Sequence, residues 1–124
     1  MRIHIYTGIA GGGGLGSIMR YGIALTFNSS TGFPWGTLLA NLIGCFFLSF
    51  LYTWFTSKKL SEFVKKGLAT GLIGSLTTFS TLSIEVVSLT QQSIVLSFTY
   101  LILTVAAGLL FTIAGMKAGR RMFL

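Results

Sequence analysis

The chain has 124 residues, of which 52% are apolar and only 9% are charged. A soluble domain carries about a quarter charged residues to solvate its surface, so this composition excludes an ordinary water-exposed globule. The net charge of +7 does not point to nucleic acid, because the basic residues flank apolar runs, a pattern of membrane orientation and headgroup contact.

A membrane-crossing helix needs roughly 20 mostly apolar residues. No charge falls between Arg20 and Lys58 or between Glu85 and Lys117. The expected fold is therefore an all-α integral membrane protein, one domain over residues 1–124, with four transmembrane helices at about residues 3–27, 35–56, 67–89 and 93–115.

The first span opens after Arg2, which with the apolar stretch behind it mimics a signal peptide. No small-x-small cleavage site closes that stretch, so it is kept as a helix of the mature protein, interrupted by Gly11 to Gly14 and carrying Arg20 near its end. Residues 28–34 form a turn-rich connection, and Pro34 suits the start of the second span. Trp35 and Trp54 sit near that span's ends as interfacial anchors. Cys45 lies within it, has no partner for a disulfide in the chain, and reads as a packed thiol.

A polar, basic connection over residues 57–66 precedes the third span. That span is irregular: Gly71, Gly74 and the run Ser75-Leu76-Thr77-Thr78-Phe79-Ser80-Thr81 weaken a continuous helix and predict a break around Gly74 to Phe79. Gln91 and Gln92 mark a tight turn, and a basic tail of Lys117, Arg120 and Arg121 follows the fourth span.

With four spans, both termini and the second-to-third connection share one side. That side holds Arg2, Lys58, Lys59, Lys65, Lys66, Lys117, Arg120 and Arg121, and the opposite connections hold no Lys or Arg. Positive charge resists translocation, so both termini are expected in the cytoplasm.

Four packed helices fill their own centre with side chains, so a conducting path requires a partner or a further copy. Polar residues within the spans indicate where it would run. Thr37, Asn41 and Gly44 share a face of the second span; a helix-to-helix hydrogen bond is the plainer role for Asn41, a pore lining the sharper one. Thr77, Thr81 and Glu85 are spaced four apart on the third span, and a carboxyl placed there must face protein or water. Tyr100, Thr104, Gly108 and Thr112 make a matching stripe on the fourth. Where a membrane helix unwinds, freed carbonyls bind cations and freed N–H groups face anions; a simple glycine kink is the competing reading. Arg20 is either a snorkelling anchor or a positive mouth that gathers anions.

Three elements in order carry a resemblance over essentially the whole chain: Gly12-Gly13-Gly14-Leu15-Gly16 leading to Arg20-Tyr21; Phe33-Pro34-Trp35-Gly36-Thr37 followed by Asn41-Leu42-Ile43-Gly44; and Gly74-Ser75-Leu76-Thr77-Thr78-Phe79-Ser80-Thr81 with Glu85 four residues on. The chain resembles the small fluoride channels of the Fluc or CrcB family. The resemblance implies an antiparallel dimer in a prokaryotic plasma membrane, with two narrow fluoride pores and a structural sodium ion at the dimer interface. It implies that the backbone carbonyls of Gly74 and Thr77 coordinate sodium, and that Asn41, Ser80, Thr81, Tyr100 and Thr104 line the pore. Arg20 would lie at the vestibule, Glu85 would end the polar track, and Phe79 would be the first of two pore phenylalanines, its positive ring edge toward the anion.

Two features depart from that pattern. Leu82 stands where the second phenylalanine is expected, and an aliphatic side chain has no positive edge. The one-sided basic residues demand one orientation, so an antiparallel dimer needs an oppositely biased homologue: a heterodimer in which one pore can be lost. A proton-coupled small multidrug exporter is disfavoured because the first span has no carboxylate, and a non-conducting membrane subunit is the other alternative. One His, one Cys and two carboxylates, scattered as they are, assemble no catalytic or metal cluster, so no enzyme is expected.

Overall fold

A computed structural model describes residues 2–28 and 32–124, and the regular structure within them is helical. The first helix, α1, runs from Arg2 to Phe27 without interruption. Its glycines do not break it, because in apolar surroundings the backbone has no better partner than its own helix. They let it lie against a neighbouring backbone. At Gly16 an added Cβ would overlap the Ser75 hydroxyl and the Leu72 carbonyl, so no larger residue permits this approach.

The second helix, α2, spans Trp35–Ser57, begins after Pro34 and ends where Lys58 turns extended (φ −133°, ψ 147°) while its N–H caps the Trp54 carbonyl. Within the connection expected over residues 57–66, a short helix α3 forms at Glu62–Lys66. Ser61 caps it, its Oγ accepting from the Val64 N–H at 3.3 Å, and Glu62 at its start with Lys65 and Lys66 at its end complement the helix dipole. The third span thus begins earlier than residue 67. It continues as a π-helical stretch, Gly67–Ile73, then a single turn, α4, at Gly74–Leu76.

The chain then breaks. Thr77 is extended (φ −81°, ψ 156°), and helix resumes as α5 at Ser80–Thr90. The break therefore lies at residues 77–79, three residues beyond Gly74, which is itself helical (φ −60°, ψ −34°). Loosening by glycine does not account for it.

Gln91 and Gln92 turn the chain back, Ser93 caps the next helix by accepting from the Leu96 N–H at 3.3 Å, and α6 runs from Ile94 to Phe123. The basic segment expected as a tail is thus helical. Gly119 is buried against Thr53, and the Phe123 ring packs on Phe50 and Trp54 at centroid distances of 5.3 and 6.0 Å, which holds these last turns on α2.

Among the described residues three segments are long and apolar enough to cross a membrane: Trp35–Ser57, Glu62–Thr90 with its break, and Ile94–Phe123. α2 packs chiefly on α6, and α1 on the π-helical stretch. Leu38, Leu82, Leu89 and Tyr100 make one core cluster, Ala40, Ile73 and Leu76 another. Much of the remaining apolar surface is uncovered: Val95, Phe98, Ile102 and Leu109 of α6 all face outward, as suits contact with lipid or a second chain.

Candidate functional site

The break is held by a side chain from another helix. Asn41, buried on α2, accepts the Thr78 N–H on its Oδ1 at 2.8 Å and donates from Nδ2 to the Thr78 carbonyl at 3.2 Å. A buried main-chain amide without a partner costs about 1–3 kcal/mol, so this pairing lets the helix open at Thr78 without stranding either group. Thr78 also starts the next helix: its Oγ1 accepts from the Thr81 N–H at 3.1 Å, as an N-cap side chain does.

The half-helix before the break ends in carbonyls that, from Gly74 onward, no longer have i+4 partners. Ile73 O accepts from both the N–H and the Oγ1 of Thr77, each at 3.1 Å. Ser75 O accepts from Arg20 Nε at 3.0 Å. Among the described residues no donor reaches the carbonyl of Gly74 or of Thr77. Oxygens left open in this way fit a hard cation.

Beside the break lies an open groove of about 350 Å³, lined among others by Asn41, Gly74, Thr77, Phe79, Leu82 and Thr104. α2 approaches the break closely enough that a Cβ on Gly44 would overlap the Thr77 methyl. Phe79 is 79% exposed, whereas Leu82, three residues on, is 7% exposed and packs with Leu38, Leu89 and Tyr100.

A second polar cluster sits farther along α5. The Glu85 carboxyl accepts from Thr37 Oγ1 on one oxygen and from the Tyr100 hydroxyl on the other, both at 3.0 Å. Tyr100 is fully buried, and the Thr104 hydroxyl donates to its backbone carbonyl at 2.8 Å. Glu85 takes no part in an ion pair among the described residues; the one such pair is Lys65–Glu62 at 3.9 Å.

Of the candidate residues, the fold brings Asn41, Gly74, Thr77, Phe79 and Thr104 to one groove and joins Glu85 to Tyr100 and Thr37. Ser80 is exposed and within 3.4 Å of the Thr78 hydroxyl, and Thr81 is half-buried next to it. Arg20 reaches the Ser75 carbonyl rather than the groove. The stripe of Thr77, Thr81 and Glu85 does not form, because Thr77 lies before the break and the other two after it. Thr78, absent from the candidates, is the hub of the break; its pairing with Asn41 runs through its main chain, which no side-chain pattern marks.

Comparison with known proteins places this arrangement in context. A family model described as CrcB-like protein, camphor resistance, matches residues 7–116. The "Fluoride-specific ion channel FluC 2" of Staphylococcus haemolyticus is 41% identical over 113 residues, covering 87% of this chain and 90% of that protein. The "Fluoride-specific ion channel FluC" of Clostridium perfringens is 40% identical over 116 residues, covering 90% and 91% respectively. The "Fluoride-specific ion channel FluC 1" of Desulfitobacterium hafniense is 37% identical over 107 residues, covering 85% and 94%.

Proposed function

From the premise that this chain belongs to the CrcB-like family, we propose that it is a fluoride channel subunit, letting fluoride leave the cytoplasm passively across a prokaryotic plasma membrane. It is a channel component and not an enzyme. The observation that carries the reading is the break at residues 77–79, clasped by Asn41 and opening onto a groove with hydroxyls and the exposed Phe79 ring along it. A small, tightly hydrated anion needs fixed donors and ring edges to replace its water.

α1 is the fourth span in this reading, its 26 residues being long enough to cross. The termini lie together in the cytoplasm. The His4 ring stacks on Phe63, and Phe123 on Trp54, which gathers the basic ends at one face in agreement with the charge bias. Because the groove is open along its side, the path is completed by a second chain in antiparallel orientation. The one-sided charge favours an oppositely biased homologue over a second copy, and the numbers 1 and 2 in relatives' names fit such pairs.

The Gly74 and Thr77 carbonyls are the groups that would hold a structural sodium ion at that interface. When bound, sodium would supply positive charge to the ends of the broken helix. Asn41, Phe79, Ser80, Thr81, Tyr100 and Thr104 are assigned to the pore, with Glu85 at the end of its polar track and Arg20 beside the vestibule, holding the Ser75 carbonyl.

Reconstituted protein assayed with a fluoride electrode tests this. Efflux only when a homologous partner is co-reconstituted is the expected result. Efflux from this chain alone would keep the channel and remove the obligatory partner. Tight liposomes in both cases would leave a non-conducting membrane subunit.

A further inference from the structure

A cavity of about 580 Å³ lies away from the break, where the first turns of α1 meet α3. The stack of His4 on Phe63, at a centroid distance of 6.0 Å, fixes the two elements against each other. Its floor is apolar, with half-buried Ile5 and Ile9, and its rim carries the exposed Arg2, His4 and Lys66. The one carboxylate at the rim, Glu62, leans toward Lys65, outside the cavity, at 3.9 Å. Among the described residues neither Arg2 nor Lys66 is within salt-bridge reach of a carboxylate.

We propose that this cavity seats the headgroup of an anionic phospholipid, with Arg2 and Lys66 on the phosphate and the isoleucine floor against the glycerol and upper acyl chain. Charge complementarity favours this occupant: Arg2 and Lys66 at the rim outnumber its one carboxylate, Glu62, which is shared with Lys65. A free inorganic anion would gain nothing from Ile5 and Ile9. A zwitterionic lipid would bring its own cation to a rim that is already positive. Basic pockets between membrane helices on the cytoplasmic side take anionic headgroups on this logic. The proposal rests on the membrane reading and is independent of which ion the protein conducts.

The test is lipid retention by the purified full chain in detergent, by native mass spectrometry, with phosphatidylglycerol, phosphatidylcholine and inorganic phosphate as probes. Phosphatidylglycerol should be retained on the order of tenfold more tightly than phosphatidylcholine. Arg2→Gln with Lys66→Gln should weaken it by at least about fivefold, the factor that roughly one interfacial basic residue supplies. Lys117→Gln with Arg120→Gln removes the same charge at the same end of the molecule and should leave retention unchanged. Equal loss in that control pair would reduce the effect to a general surface field and overturn the proposal. Two arms need no variant: equal retention of the two lipids, or displacement of phosphatidylglycerol by millimolar inorganic phosphate, would also overturn it.

Discussion

Asn41 and Thr78, 37 residues apart, pair side chain to main chain in both directions, through Oδ1 at 2.8 Å and Nδ2 at 3.2 Å. A carboxamide offers a donor and an acceptor side by side without carrying charge. A carboxylate at this position would set an acceptor against the Thr78 carbonyl and place negative charge on an anion's route. Asn41→Asp is therefore expected to cut fluoride efflux at least about tenfold, a barrier increase of about 1.4 kcal/mol. Asn41→Leu, similar in volume but with neither bond, strands two main-chain groups at about 1–3 kcal/mol each and should lower the thermal midpoint in detergent. Wild-type efflux from both variants would show that the break needs no clasp.

Glu85 poses a different question, because both carboxyl oxygens are engaged, by Thr37 and by Tyr100. Glu85→Ala leaves two hydroxyls without an acceptor near a fully buried ring, and each orphan costs about 1–3 kcal/mol. Glu85→Gln keeps the volume, and a hydroxyl can turn from donor to acceptor to meet the new amide. The expected order of unfolding midpoints is wild type, then Glu85→Gln, then Tyr100→Phe, then Glu85→Ala. An alanine variant as stable as the glutamine variant would remove the network from the account of this fold.

The extent of α2 was legible because its apolar run is continuous, opens at Pro34 and closes at Lys58, and each of these acts locally. The break was legible within the stretch from Gly74 to Phe79, but its cause was not. Gly74 looks like the weak point by propensity, yet it is helical, and the chain opens where Asn41 takes the Thr78 main chain. That choice is tertiary, and local propensity does not contain it. For the same reason the glycines of α1 suggested an interruption that does not occur. Their function is contact: Gly16 meets the backbone of Leu72 and the hydroxyl of Ser75, residues more than fifty positions away. The even spacing of Thr77, Thr81 and Glu85 promised one face, which a break between the first and the second abolishes.

The approach of α2 to the break passes over Gly44, where a Cβ would collide with the Thr77 methyl group. Gly44→Ala should displace Thr77, lower efflux and cost about 1–3 kcal/mol as an overpacked contact does. Thr77→Ser alone removes only the colliding methyl and keeps the hydroxyl that donates to Ile73 O, so it should be nearly neutral. The double variant should recover most of what Gly44→Ala loses. Additive losses would mean that the two residues do not meet.

Arg20 separates two roles that the sequence left open. A positive mouth attracts anions through a field that salt screens within about 10 Å at 0.1 M, and a lysine would serve it as well as an arginine. A clamp on the Ser75 carbonyl needs a planar N–H at Nε, which lysine lacks. The Nε bond at 3.0 Å lies in a part-buried setting just before the break, so the clamp is expected to dominate. Arg20→Lys and Arg20→Gln should both destabilise the fold, by about 1–3 kcal/mol, and so lower the unfolding midpoint. Both should reduce efflux by a factor that stays the same between low and high ionic strength. Rescue by lysine together with a loss in glutamine that vanishes at high salt would assign Arg20 to the mouth instead.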